Sequence, residues 1–255
     1  MNYEFTIVGG DARQRYTAEA LRRQGHTVHT FSVPGLPDTE PFIHPAQYVI
    51  LPIGALPVSP ATMAETIDAD TVVFGGKTEA LRPYFSNLQD YLTWESLAIA
   101  NAVPTAEGAI QLAMEHMPDT ISGSRFLVVG AGRIGMCLAL KLQALGGYVT
   151  VSARRSNDIA RICTFGLTAD ITGQYDTGLR NYDCVFNTVP SPVFTPEQMS
   201  QIPTDSILIE LASAPGGFPK GLRPVISGAA LPGRVAPKAA GELLAREILT
   251  VIRTL

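Results

Sequence analysis

The residues best placed to do chemistry together are Gly130-Ala131-Gly132-Arg133-Ile134-Gly135. They follow the apolar run 126–129 without a gap and open a helix-forming stretch, 133–145. That stretch ends at Gly146-Gly147, just before the β-rich run 148–152. In this setting each glycine has a task. Gly130 permits a tight turn, Gly132 lets the backbone approach a pyrophosphate, and Gly135 lets helix and strand pack closely. Arg133 and Ile134 then start a helix whose N-terminal N–H groups and partial positive charge suit phosphates. A lone GxGxxG is a weak signal, and the strand before it and helix after it make it a dinucleotide loop. The bland alternative is a glycine-rich strand–helix turn with no ligand.

The end of the next strand selects the cofactor. An NAD-binding unit places an Asp or Glu about 20 residues after the loop, to accept from the ribose hydroxyls. Here the chain reads Ser152-Ala153-Arg154-Arg155-Ser156-Asn157, with no acid before Asp158. Two guanidinium groups and two hydroxyls suit a phosphate dianion, so NADP(H) is the expected cofactor; two solvated surface arginines are the alternative. Ligands of open α/β sheets gather at the C-terminal strand ends. Asn187-Thr188-Val189-Pro190 is placed to cover the nicotinamide ribose, and Leu211-Ala212-Ser213-Ala214-Pro215-Gly216-Gly217 ends the following strand. A third segment, 232–241, leads into the last helix. Each of the three is otherwise a plain strand-ending loop.

Nearer the N-terminus, Gly9-Gly10-Asp11-Ala12-Arg13-Gln14 occupies another strand–helix turn. Its N–H groups and Arg13 can hold an anionic group, or Asp11 is simply an N-cap. Glu107 is either a helix-start acid or a cleft residue. The histidines (His26, His29, His44, His116) show no ligand spacing, so no metal is expected. Cys137, Cys163 and Cys184 have no CxxC pair and read as buried free thiols.

Holding these groups requires alternating strands and helices, the pattern of parallel sheets covered on both faces. Strands are expected at 5–8, 26–31, 48–51, 71–74, 125–129, 148–152, 184–188, 206–211 and 223–226. Helices are expected at 12–24, 96–117 (restarting at Pro104), 133–145 and 239–250, with 52–60 a proline-rich loop. The fold class is α/β, two Rossmann-like doubly wound parallel-sheet domains, the second binding NADP. The expected organisation is a flavodoxin-like or Rossmann-like substrate domain (1–95), a connecting helix (96–118), the NADP-binding domain (119–235) and a C-terminal helix (236–255) packing back toward the first domain.

The bulk numbers agree with this reading. Hydrophobic residues form 46% and charged residues 16% of the 255 residues. A net charge of −4 argues against a general nucleic-acid binder, which needs a positive surface. No apolar run approaches the roughly 18 residues of a membrane span. The opening Met-Asn-Tyr-Glu-Phe lacks the features of a signal peptide, so a cytoplasmic protein is expected.

Several of these segments, in order, resemble the A subunit of bacterial dipicolinate synthase. They are Gly9–Gln14 as quoted, Asn101 with Pro104-Thr105-Ala106-Glu107-Gly108, the 130–135 loop, Ser152-Ala153-Arg154, Asn187-Thr188-Val189-Pro190, and Leu231-Pro232-Gly233 with Val235-Ala236-Pro237-Lys238. The stretch between Pro52 and Leu92 departs from the family and looks shortened. The resemblance implies an NADP-dependent oxidoreductase subunit working in an oligomer with a flavoprotein-like B subunit in the mother cell of a sporulating bacterium. It would form dipicolinate from 4-hydroxy-tetrahydrodipicolinate, a cyclic dicarboxylate of the lysine pathway. More distantly, the chain is similar to D-2-hydroxyacid dehydrogenases. Val235-Ala236-Pro237-Lys238-Ala239-Ala240-Gly241 looks like their histidine segment, with Lys238 where the acid/base histidine stands. Ser213 and Ala214 replace the arginine those enzymes carry after the corresponding strand. These likenesses imply Lys238, Arg13 and Glu107 as catalytic candidates, and Gly10, Asp11, Arg13, Asn101, Thr105, Gly233 and Lys238 around the substrate. Two other functions stay open: a stand-alone NADP-dependent dehydrogenase of another small carboxylic acid, and a non-catalytic NADPH-binding partner of a B subunit.

Overall fold

In the computed structural model, which describes residues 1–254, the short apolar runs become strands of two separate all-parallel sheets. The chain divides into two α/β units. Unit 1 is Met1–Asn101 together with the segment from Pro232 onward, and unit 2 is Ala102–Leu231.

Unit 1 contains β1 (Glu4–Val8), α1 (Ala12–Arg23), β2 (Thr27–Phe31), β3 (Tyr48–Ile53), α2 (Pro60–Ala64), β4 (Val72–Gly76) and β5 (Leu88–Asp90). Its sheet order is β2-β1-β3-β4-β5, which reverses direction between β1 and β3. Phe5, Ile7, Ile50, Leu51 and Phe74 are fully buried, as expected of strands covered on both faces. The Asp11 side chain caps α1 by accepting from the Arg13 N–H (2.9 Å), and Arg22 and Arg23 complement the dipole at its other end. The last helix of the chain, α8 (Pro237–Ile252), lies along α1, and Leu244 and Ile248 share a core with Ala18 and Leu21. Thr17, fully buried, donates to the Gly241 carbonyl (3.1 Å). A Cβ at Gly241 would press on the Arg13 carbonyl and on Tyr16.

Between β5 and unit 2 runs α3 (Glu95–His116), a single helix with Pro104 inside it. The sequence predicts a fresh start at Pro104. The ring removes one backbone hydrogen bond, but Pro104, Thr105 and Ala106 are all buried, and packing keeps the helix continuous. The division between units falls within this helix, at Asn101/Ala102, so α3 serves both units rather than standing as a separate connector.

Unit 2 contains β6 (Arg125–Val129), α4 (Arg133–Ala144), β7 (Tyr148–Ala153), α5 (Ser156–Thr164), β8 (Thr168–Ile171), β9 (Cys184–Asn187), α6 (Pro196–Met199), β10 (Ile207–Glu210) and β11 (Ile226–Ser227). A short α7 (Leu231–Val235) follows at the boundary. The order β11-β10-β9-β6-β7-β8 is the Rossmann arrangement, with its switch point between β6 and β9. On one side of the sheet Tyr175, Phe194 and Phe218 form a continuous ring stack, with centroids 5.1 and 5.2 Å apart.

The elements α2, β5, α5, β8, α6 and α7 have no counterpart in the sequence reading. They are short or polar, and their burial comes from neighbours distant in sequence. The cysteines also need correction. All three are free, but only Cys184 is buried; Cys163 is exposed on α5 and Cys137 is partly exposed. No described helix is long and apolar enough to cross a membrane.

The α1–α8 contact yields a stability prediction. Gly241→Ala should destabilise unit 1 by about 1–3 kcal/mol, the range for overpacking a tight contact. Thermal unfolding by circular dichroism would measure it, and an unchanged midpoint would show that the helices can move apart freely.

Candidate functional site

At the C-terminal end of β6 the backbone turns sharply, with Gly130 at φ +103° and its N–H donating to the Ser152 carbonyl (2.9 Å). A Cβ at Gly135 would fall on the Gly130 carbonyl, so only glycine lets α4 sit this close to the strand. A Cβ at Gly132, in contrast, would meet nothing within 4 Å. Gly132 is the N-cap of α4 and offers no side chain to cap it. The positive end of the helix dipole therefore meets open space of the kind a pyrophosphate needs. Ile134 is half-buried and Arg133 exposed in the first turn.

Two groups brace this loop. Thr188 donates to the Val129 carbonyl (2.9 Å), and its hydroxyl backs both Gly130 and Gly135. From α5, Arg161 donates to the Ala131 carbonyl while Asp158 pairs with it at 3.1 Å. Asp158, the first acid after β7, is thus engaged with an arginine of its own helix.

At the end of β7, Ser152 is fully buried, and its hydroxyl accepts from Thr172 (3.0 Å). Ala153 is buried as well, whereas Arg154, Arg155 and Ser156 are exposed at the start of α5. Of the residues expected to hold the adenosine end, the two arginines and Ser156 are accessible and Ser152 is part of the sheet.

The loops after β9 and β10 are tied together by Glu210. One carboxylate oxygen accepts from Asn187 Nδ2 (2.6 Å) and the Ala212 N–H (3.0 Å), and the other from the Gly217 N–H (2.8 Å). Asn187 is fully buried and also bonds Val189 in both directions. Asn187 and Thr188 therefore shape the turn, while Val189 and Ala212 are partly exposed and Pro190 and Ser213 exposed.

Unit 1 has its own cavity at the C-terminal ends of β1 and β3, about 280 Å³, lined by Gly10, Asp11, Arg13, Gln14, Tyr91 and Asn101 among others. Arg13 grips Asp11 through Nε (2.9 Å) and Nη2 (2.7 Å). The Arg13 hydrogen bond holds the Asp11 carboxyl below its ordinary value of 3.8. Burial works against the Arg13 charge, but Asp11 outweighs it and the pKa rises. Burial pushes the Tyr91 phenol up, and its hydroxyl donates to the Leu51 carbonyl (3.0 Å). Gln14 is 3% exposed, and its Nε2 has no hydrogen-bond partner. Gly233 packs directly on the Asp11–Arg13 pair, where a Cβ would come within 2.9 Å of both side chains.

The remaining expected residues lie elsewhere. Thr105 is buried in α3 and does not line this cavity. Glu107 is neither a helix-start acid nor a cavity residue: continuous α3 places it mid-helix, where it accepts from Lys141 Nζ on α4 (2.8 Å). Lys238 is exposed in the first turn of α8, outside the lining, two residues before Ala240, which does line the cavity. Sequence reading passed over Gln14, Arg161 and Glu210. Gln14 stood in a quoted motif, but its missing partner is a property of the folded core. Arg161 and Glu210 act on loops 30 and 23 residues away.

No sequence-family model matches the chain. It is 31% identical to the dipicolinate synthase A subunit of Bacillus subtilis (strain 168), over 95% of this chain and 93% of that protein. The crystal structure of the dipicolinate synthase A subunit from Bacillus halodurans superposes with a TM-score of 0.83 and 27% identity, covering 98% of this chain and 97% of that one. A transhydrogenase from Sinorhizobium meliloti, 14% identical, shares the fold with a TM-score of 0.72 over 98% of this chain and 93% of that one.

If the loop holds the expected dinucleotide, Arg161→Met should weaken that binding about tenfold, the effect of losing one charge-assisted hydrogen bond that positions the loop. Fluorescence titration would measure it, and unchanged affinity would show that Arg161 does not brace the loop. The Asp11 carboxyl, followed by carbon-13 NMR, should titrate below 3.8. The stability its depressed pKa contributes is present above the unfolded value and is lost as pH falls through the folded one.

Proposed function

The chain belongs to the family of dipicolinate synthase A subunits, and on that footing we propose that it is the NADP-dependent oxidoreductase subunit of a dipicolinate synthase. The observation that carries the cofactor is the open space at Gly132, followed at the next strand end by exposed Arg154 and Arg155 with no free acid. A 2′-phosphate would be held by these arginines and Ser156, where the Asp or Glu of an NAD site would repel it.

The family and the unit 1 cavity support the reading of the substrate class. 4-Hydroxy-tetrahydrodipicolinate becomes dipicolinate by losing one water and two hydrogens, one as hydride and one as a proton. Bound NADP⁺ supplies the hydride acceptor. Asp11 occupies the Nε–Nη2 edge of Arg13, leaving the other edge of the guanidinium for a substrate carboxylate. Gln14 Nε2, buried without a partner, gains an acceptor when a carboxylate enters. Gly10 and the N-terminus of α1 add to the same anion site. Lys238, beside the cavity-lining Ala240, is the candidate for the second carboxylate or for moving the proton. The setting is the cytoplasm of the mother cell of a sporulating bacterium, and the partner is a flavoprotein-like B subunit.

The test is NADP⁺ reduction with 4-hydroxy-tetrahydrodipicolinate, with and without a B subunit. Turnover is expected with NADP⁺ in preference to NAD⁺, and Arg154→Asp with Arg155→Ala should move that preference toward NAD⁺. Gln14→Leu should raise KM for the dicarboxylate about tenfold through one lost hydrogen bond to a charged group, with dinucleotide affinity unchanged. Lys238→Met should keep dinucleotide affinity and lose turnover. Cofactor binding without turnover in either condition would favour a non-catalytic NADPH-binding partner instead.

A further inference from the structure

The cavity lies at the C-terminal ends of the unit 1 strands, and none of its residues explains a second polar cluster at the opposite ends. Glu4 opens β1, His29 sits on β2, and His44 lies in the connection that leads to β3. Their spacing in sequence suggests nothing, because each comes from a different segment. Folding joins them through parallel pairing. Thr6 lies opposite His29, and strand alternation puts Glu4 and Thr6 on one face of the sheet. Thr6, fully buried, donates to the His44 carbonyl (2.7 Å) and so holds the connection over that face.

We infer that Glu4, His29 and His44 form a divalent-metal site, two imidazoles and one carboxylate, suited to Zn²⁺. Glu4 Oε1 lies 3.2 Å from His29 Nε2 and 3.6 Å from His44 Nε2, and the three donor atoms are all within 4.8 Å of one another. Donors on adjacent corners of a tetrahedron with bonds near 2.1 Å are about 3.4 Å apart, so the two Glu4–histidine separations match that spacing, the shorter being also a hydrogen bond between Glu4 and His29. Two imidazoles and a carboxylate are a borderline donor set that suits zinc, with a further position for water. The Glu4 and His44 side chains are 42% and 29% exposed, which leaves an entry path.

Two details set the strength and role of the site. The imidazoles stack at 3.7 Å with 19° between planes, so binding must turn the rings until both in-plane lone pairs face the ion. Rotation about the terminal torsion of histidine is soft enough to allow this. His29 Nδ1 is buried without a partner, whereas a ligating histidine usually donates its second N–H to one. That absence costs about 10–100-fold in affinity, which points to a moderate, structural site. Its effect would be to clip the long β2–β3 connection to the edge strand of the sheet.

The test uses the full chain without an affinity tag, stripped of metal and titrated with Zn²⁺ by calorimetry and with Co²⁺ by visible absorption. One equivalent should bind, Co²⁺ should give the ligand-field bands of a four-coordinate site, and Zn²⁺ should raise the thermal midpoint. His44→Ala, which removes a partly exposed side chain, and Glu4→Gln should each lower affinity about tenfold or more and abolish the rise in midpoint. Absence of binding, or binding that both variants leave unchanged, would overturn the assignment.

Discussion

The close approach of α4 to β6 is the constraint on which unit 2 is organised. Gly135 rests against the Gly130 carbonyl, a distance that no side chain permits. Because the helix sits this low, its N-terminus opens at the strand end, and Gly132 faces space. The same approach fixes what can stand behind the loop. The Thr188 hydroxyl fits there only because Gly130 and Gly135 carry no Cβ, and it secures its own place by binding Val129. The switch point between β6 and β9 is thus held by backbone proximity and one short polar side chain. Arg161 on one flank and Glu210 on the other then fix the neighbouring loops.

Unit 1 uses glycine in the same way for another purpose. Gly241 brings α8 against α1, and Gly233 lets the chain before α8 pass over the Asp11–Arg13 pair. The pair is thereby covered by a segment from the far end of the chain. Residues from the far end of the chain thus complete the corner of the first sheet that holds the Asp11–Arg13 pair.

This arrangement explains what the sequence made legible. The strand–glycine–helix turn at 130–135 could be read because its requirements are local: strand, three glycines and helix are contiguous in the chain. The missing acid after β7 is local too, and Asp158 fits the pattern by pairing with Arg161 rather than standing free. Gln14, Arg161 and Glu210 were not legible, since each acquires its role from a partner or cavity assembled by the fold. Ser152 misled for the converse reason: a hydroxyl at a strand end looks available until the neighbouring Thr172 and the sheet bury it. Pro104 misled because local propensity was overruled by packing on three successive residues. The Glu4–His29–His44 cluster is the extreme case, invisible in spacing and dependent on strand register and on the Thr6 hydrogen bond to the His44 carbonyl.

The Asp11–Arg13 pair also bears on how the unit 1 cavity would recognise an anion. A lone buried arginine would bind any carboxylate by charge and would be costly to leave empty. With Asp11 in place, most of that charge is already balanced, and the cavity wall carries an ion pair beside the buried Gln14 Nε2, which has no hydrogen-bond partner. Recognition of the proposed ligand would then rest on directed donors, the second guanidinium edge, Gln14 Nε2 and the α1 N-terminus, more than on net charge. Such a set discriminates by geometry, since a ligand that fails to reach Gln14 leaves a buried N–H group unpaired. A rigid ring with fixed carboxylates meets that demand at less entropic cost than a flexible chain, in keeping with a cyclic dicarboxylate as the ligand class.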